Sequence, residues 1–316
     1  MVLPLAALAF AATISGVPVD SASASDVRMM GPRQGIPEGP ISSLLVSGDR
    51  LFVGTRGMGL FVHELRSGQT RRVTRGEGLP SDDIVSIASF RGKVYAATSA
   101  GIGVWDGDSW SALRQAGNVR LNNAVLAVSP GGGELWAGAV HLSGGTVRFD
   151  GKDWVFAGGE GRGLLNNVDS FAFRPGEVIL GVQSGAVYVR KGNAIEAVGG
   201  GFPQANVFAV AERGGTIYAG TSAGLYLFRG TIWEKAIVPE AVAGAAVYAF
   251  VRSGADLFVG GSKGLLLLDR NGNARVLSGG AGFPPGAVTA LAEGGGAVYA
   301  ATERGVAVVR DWNDGA

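Results

Sequence analysis

A phrase of about forty residues recurs from residue 35 onward, and it limits the possible folds more than any other feature of this chain. Each copy runs as a Gly-apolar-Pro turn, a short apolar strand, a Gly-containing turn, then an aromatic-x-Gly/Ala-Thr strand closed by another Gly. The first strands open at Ile41, Ile84, Val125, Val168, Val207, Val247 and Val288. The turns ahead of them read GIPEGP, GLPSDD, RLNNA, GLLNN, GFPQAN, AVAGAA and GFPPGA. Second strands carry Phe52, Tyr95, Trp136, Ile179, Tyr218, Phe258 and Tyr299 at a bulky position. Two residues on stand Gly54, Ala97, Gly138, Gly181, Gly220, Gly260 and Ala301. A third strand follows, then a fourth that often carries Trp (Trp110, Trp154, Trp233).

A fixed period of this length means one supersecondary unit stacked against its neighbours. Short strands of alternating polarity, broken by Gly turns, give four strands per unit and almost no helix. Seven such units predict an all-β chain folded as a seven-bladed β-propeller of four-stranded blades. A right-handed β-helix would need shorter repeats and ranks far behind. The seventh unit stops after its third strand, so residues near 26–31 should pair with Val306–Arg310 and leave no free edge there. The third residue of each first strand is small (Ser43, Ser86, Ala127, Ser170, Ala209, Ala249, Ala290) and should face crowded contacts between blades. The residue after it (Leu44, Ile87, Val128, Phe171, Val210, Phe250, Leu291) is bulky and should enter the core.

Residues 1–24 stand apart. Met1 to Val19 is apolar and uncharged, and Ala22-Ser23-Ala24 fits a small-residue signal peptidase site. Cleavage after Ala24 is the favoured reading, with an uncleaved membrane anchor as the alternative; residues 25–316 are the propeller. The expected location is the periplasm or the outside of the cell, with membrane contact only through residues 1–24 if they are not removed.

Lys+Arg at 27 against Asp+Glu at 26 leaves a formal charge of +1, which gives no electrostatic footprint for nucleic acid. The chain has no Cys and 2 His, so thiolate chemistry is excluded and imidazole metal sites have little material. Gly-rich strings such as 131–133 lack the Gly-Lys-Ser/Thr of a phosphate loop. Trp105-Asp106 is a lone pair without other WD40 signatures. No cofactor is expected.

The unit GLPSDDIVSI…KVYAATSAGIGVWDG resembles the two-component-regulator propeller repeat, roughly G-L-P-x-x-x-[VI]-x-x-[IL] followed by W/Y-x-G-T-x-x-G-[LI]. All seven units resemble it; the third departs by the insertion His141–Gly145, and the sixth lacks the Pro and Thr. The resemblance implies a propeller of the periplasmic ligand-sensing kind, often for glycans. It carries no catalytic residues.

In a propeller, the loops from a fourth strand to the next first strand emerge on the same face as those joining second to third strands. Here they carry Glu38, Asp82, Asp83, Asn122, Asn123, Asn166, Asn167, Gln204 and Asn206, with Arg56, His141, Lys263, Glu303 and Arg304. This face, around the channel mouth, is the expected binding surface for a glycan, a peptide or an envelope protein. The competing reading is that Asp and Asn serve turn geometry. The opposite face, mostly Gly turns, should hold fewer functional groups. Asp82 and Asp83 should diverge, Thr55, Thr98, Thr221 and Thr302 should satisfy turn backbone, and His63 should be half-exposed on its strand. A binding role is favoured over catalysis. The alternative is a metal-assisted lyase or hydrolase similar to streptogramin lyases, for which His141 with Glu38 or Glu303 would be the candidates.

Overall fold

The computed structural model describes residues 26–117, 119–138, 145–158, 167–279 and 282–312. They form seven four-stranded antiparallel sheets. The first strand of each sheet packs against the first strands of both neighbouring sheets, and this chain of contacts closes around the full circle. The fold is therefore a seven-bladed propeller with its first strands nearest the axis. Among the described residues there is no α-helix, only one-turn 3-10 segments such as Pro32–Gln34 and Arg75–Glu77.

The ring closes as the truncated seventh repeat requires. Asp26–Met30 supplies the fourth strand of blade 7, with Asp26 opposite Arg310 and Met30 opposite Val306. Its hydrogen bonds cover the edge that Gly305–Arg310 would otherwise leave open.

The small residues of the second strands have a steric cause. A Cβ added to Gly54 would lie 2.6 Å from Ile84 Cγ2, and one on Gly220 would lie 2.6 Å from Val247 Cγ1. In each case the obstacle is the residue opening the next blade's first strand, so blades approach too closely for a side chain there. The third-position serines bond across the gap between blades; in blade 3 that position falls on Val125, opposite Gly138, and not on Ala127. Ser43 Oγ accepts from the Ile87 N–H at 3.1 Å, and Ser170 Oγ from the Val210 N–H at 2.9 Å. Each hydroxyl satisfies a backbone donor of the neighbouring first strand.

Blade 3 departs from the expected register. Leu126 accepts the place of Leu44 and Ile87: its N–H donates to Ser86 Oγ at 3.1 Å, as Ile87 does to Ser43. The bulky core position is therefore Leu126, not Val128, and the first strand (Val125–Val128) is set two residues back from where the repeat alone places it. The cause lies just before it. A small hairpin, Gln115–Ala116 with Val119–Arg120, lengthens the connection, and Leu121 and Ala124 fill the space of the missing anchor, both fully buried. Val125 is left half-buried.

His63 also differs from expectation. It is 4% exposed, closed in beneath the segment before blade 1, and its Nδ1 lies 2.8 Å from Thr70 Oγ1. That hydroxyl in turn donates to the Gln34 carbonyl.

Candidate functional site

The loop face is built by a hydrogen bond that repeats from blade to blade. The residue following the second strand donates its N–H to the carbonyl of the residue just before the first strand. The pairs are Arg56 to Pro40, Ser99 to Asp83, Gln183 to Asn167, Ser222 to Asn206 and Ser262 to Ala246, at 2.8 to 3.1 Å. The expected role of the recurring threonines holds. Thr55 donates to Gly59, Thr98 to Gly101, Thr221 to Gly224 and Thr302 to Gly305, at 2.7, 2.8, 2.8 and 3.0 Å.

Several of the expected site residues are engaged in this frame. Asn123 and Asn167 have φ of 52° and 64°, a left-handed conformation that Asn tolerates better than most residues. Asn206 uses its N–H on Ser222 Oγ and its carbonyl on the Ser222 N–H. Asp82 Oδ1 accepts the Arg75 N–H at 2.7 Å, and its carbonyl accepts the Gly59 N–H at 2.8 Å. Asp83 turns the other way and meets the Arg56 guanidinium at 3.4 Å, so the two adjacent carboxylates diverge. Lys263 Nζ donates to the Ala243 carbonyl at 3.2 Å.

The rest present unengaged side chains. Glu38, Gln204, Glu303 and Arg304 are exposed, Asn122 is half-buried, and none of their side chains bonds to another described residue. Glu38 and Glu303 come from adjacent blades, joined by the Gly39 N–H to Glu303 carbonyl bond at 3.1 Å. His141 and Asn166 lie outside the described residues. Among the described residues, no group of three His, Asp or Glu side chains converges as metal ligands do.

The channel mouth adds a residue that the repeat pattern concealed. In five blades the second residue of the first strand is bulged out of register, as Asp169 is between Val168 and Ser170. Val168 packs on blade 3, where it would block a Cβ on Gly138, and Ser170 bonds to blade 5. The bulged side chain belongs to neither sheet face and stands at the inner edge. Its equivalents touch from blade to blade around the axis. Ser42 Oγ donates to the Ile84 carbonyl at 2.6 Å, Thr289 Oγ1 to the Ile41 carbonyl at 2.8 Å, and the Phe208 and Tyr248 rings meet at 5.6 Å. Asp169 is thus a carboxylate in the inner ring, one blade from Phe208, with no ionic or hydrogen-bonding partner among the described residues. Burial raises its pKa to about 6. The signal was present in the sequence: an acid where other blades carry Ser42, Val85, Phe208, Tyr248 and Thr289.

The opposite face is richer than expected. A cleft of about 710 Å³ opens there between blades 3 and 4, and another of about 660 Å³ between blades 7 and 1. Both are lined by Arg, Glu or Asp as well as Gly turns. The cavity on the loop face between blades 5 and 6 is smaller, about 190 Å³, and largely apolar. The expectation rested on turn composition; the charged groups come from the strand ends beside those turns.

No family model and no curated protein matches the chain. Solved structures do. The computationally designed Ika8 protein is 19% identical, with a TM-score of 0.60 over 85% of this chain and 83% of its own. The extracellular domain of a hybrid two-component system from B. thetaiotaomicron is 16% identical, with a TM-score of 0.73 over 88% of this chain. That of a one-component system from the same organism is 16% identical, with a TM-score of 0.68 over 87%. The likeness is one of fold. The chain spans 40% and 39% of those two extracellular domains. Among the described residues no helix is long and apolar enough to cross a membrane.

Proposed function

We propose that this protein is an extracytoplasmic, sensor-like propeller that recognises a ligand or protein partner on its loop face, around the channel mouth, without chemistry of its own. The observation that carries the reading is Asp169, a carboxylate in the inner ring without a partner among the described residues, one blade from the paired rings of Phe208 and Tyr248. A partly buried charge without a partner lowers stability, and a bound group that pairs with it recovers the loss. On the same loop face the side chains of Glu38, Asn122, Gln204, Glu303 and Arg304 have no bond to another described residue. A carboxylate and an aromatic pair in one inner ring suit a cationic or amine-bearing group, and the outer polar side chains suit the hydroxyls of a glycan or the backbone of a peptide. Export rests on the composition of residues 1–24, and the extracellular placement of the two bacterial domains is in keeping with it.

The test is a thermal-shift screen of the purified protein against glycans, short peptides and divalent metals. A ligand at a hundred times its dissociation constant adds about 2.7 kcal/mol to stability. The expected hit is weakened at least tenfold by Asp169→Asn and by Glu38→Ala with Arg304→Ala. A hit indifferent to both variants would place recognition elsewhere, and a divalent metal as the sole hit would favour the lyase alternative.

A further inference from the structure

The third strands contain a largely apolar series into which blades 3 and 4 each place an arginine. Opposite the bulky second-strand residue, the third strand places Val62, Val104, Val189, Leu227, Leu267 and Val308, but Arg148 in blade 3. One register step further from the loop face it places His63, Trp105, Phe149, Phe228, Leu268 and Val309, but Arg190 in blade 4. The two exceptions face each other. Arg148 stands beside Trp136 on the side of blade 3 that packs against Phe171 and Phe173 of blade 4. Arg190 reaches back from blade 4, its guanidinium 5.3 Å from the Trp136 ring centroid. Two cations therefore stand across an inter-blade gap, at third-strand positions that are aliphatic or aromatic in most other blades, and the gap is the cleft of about 710 Å³.

The charges of this cleft do not cancel. Glu134 holds both Arg148 and the Trp136 indole N–H. Glu177 holds Arg174, with Lys191 3.8 Å away. Glu212 accepts the Gly215 N–H. Arg190 has no carboxylate within ion-pairing distance among the described residues, and the Nε–H groups of Arg190 and Arg148 are both buried without a partner. Burial and the Arg148 charge push the Arg190 pKa down, and Glu134 offsets only part of this. A partly buried guanidinium whose Nε–H is covered and without a partner lowers stability unless an anion completes it. Its planar donor fork matches an oxyanion, and the cavity has the size of a small-molecule site.

We propose that the cleft between blades 3 and 4 is a second binding site, on the face opposite the channel-mouth loops, for a small molecule bearing an oxyanion that pairs with Arg190 and Arg148.

Thermal unfolding at fixed ionic strength, with citrate, benzoate or inorganic phosphate replacing chloride, tests this. At least one of the three is expected to raise Tm with a saturating dependence, and carboxylate against phosphate response identifies the class of oxyanion. Arg190→Leu, which installs the residue type of the other blades, should fold with equal or higher Tm and lose the anion response. Arg190→Lys should weaken it about tenfold or more, since a point charge replaces the fork. Arg56→Ala, on the loop face, should leave it intact. The absence of a saturating response to all three anions, or an equal response in wild type and Arg190→Leu, would overturn the proposal. Because Asp169→Asn leaves this cleft untouched, failure here and failure of the channel-mouth reading are distinguishable.

Discussion

His63 illustrates how one residue acquires a role that its sequence position does not announce. It lies on the third strand of blade 1, where the repeat places an apolar or aromatic residue, and there it is almost wholly covered. Burial, and secondarily the positive charge of Arg28, hold its pKa below the usual 6.5, with Glu64 opposing. A histidine kept neutral in the fold contributes stability that is complete above the unfolded pKa and is lost as pH falls through it toward the lower folded value. Stability should therefore decline as pH drops below about 6.5. His63→Leu, taking the residue of blade 6, should flatten this part of the profile. Urea midpoints from pH 7.5 to 5 measure it; an unchanged slope in the variant would assign the decline to other groups. Asp169 acts in the same direction over none of this range: its raised pKa makes neutral pH, not acid, the unfavourable side.

At the scale of the blade, stability depends on how closely adjacent sheets approach. Gly220 shows the limit: besides Val247 Cγ1, the Val247 carbonyl oxygen would lie 2.9 Å from an added Cβ. Ala97 and Ala301 hold the same position in blades 2 and 7, so one methyl fits where the facing residues can yield, but a carbonyl in a hydrogen-bonded strand cannot turn aside. Gly220→Ala is expected to cost about 1–3 kcal/mol by overpacking, read as a lower urea midpoint with unchanged slope. A cost below about 0.5 kcal/mol would mean that blades 5 and 6 separate freely. This spacing rule was legible in the sequence because it recurs: the Gly/Ala series, the threonine turns and the strand count follow from repetition alone. What repetition could not show is where a blade breaks its own rule. Blade 3's offset arises from the Gln115–Arg120 hairpin, and the bulge that turns Asp169 inward has no marker in strand polarity. The same limit concealed the candidate sites. Asn123 and Asn167, singled out for their side chains, also hold the left-handed backbone of their turns, whereas Arg148 and Arg190 looked like strand residues and stand at a cavity.

For the whole molecule, the decisive contact joins the two ends of the described chain. Blades 1 to 6 each take their four strands from consecutive sequence, so Asp26–Met30 is the one strand by which the start of the described chain is built into the blade at its end. If that strand detaches, blade 7 exposes the backbone of Gly305–Arg310, and blades 7 and 1 lose the cluster in which Met30 packs with Ile36, Tyr299 and Val306. Ring opening is thus the natural first step of unfolding. The pair Val27 and Val309 lies directly opposite in register, and the chain has no other cysteine to compete for a new bond. Val27→Cys with Val309→Cys should form one disulfide under oxidising conditions. Such a long closed loop predicts about 5–6 kcal/mol of stabilisation in the chain-entropy account, less whatever strain the bond introduces. The sharper expectation is kinetic. If opening at this strand precedes loss of the other blades, the oxidised protein unfolds in urea many times more slowly than its reduced form, while refolding of the reduced form matches wild type. Equal unfolding rates for oxidised and reduced protein, with the disulfide verified by mass, would show that the ring gives way between other blades. The gap between blades 3 and 4, where Arg148 and Arg190 face each other and bury Nε–H groups without a partner among the described residues, is where the search would then turn.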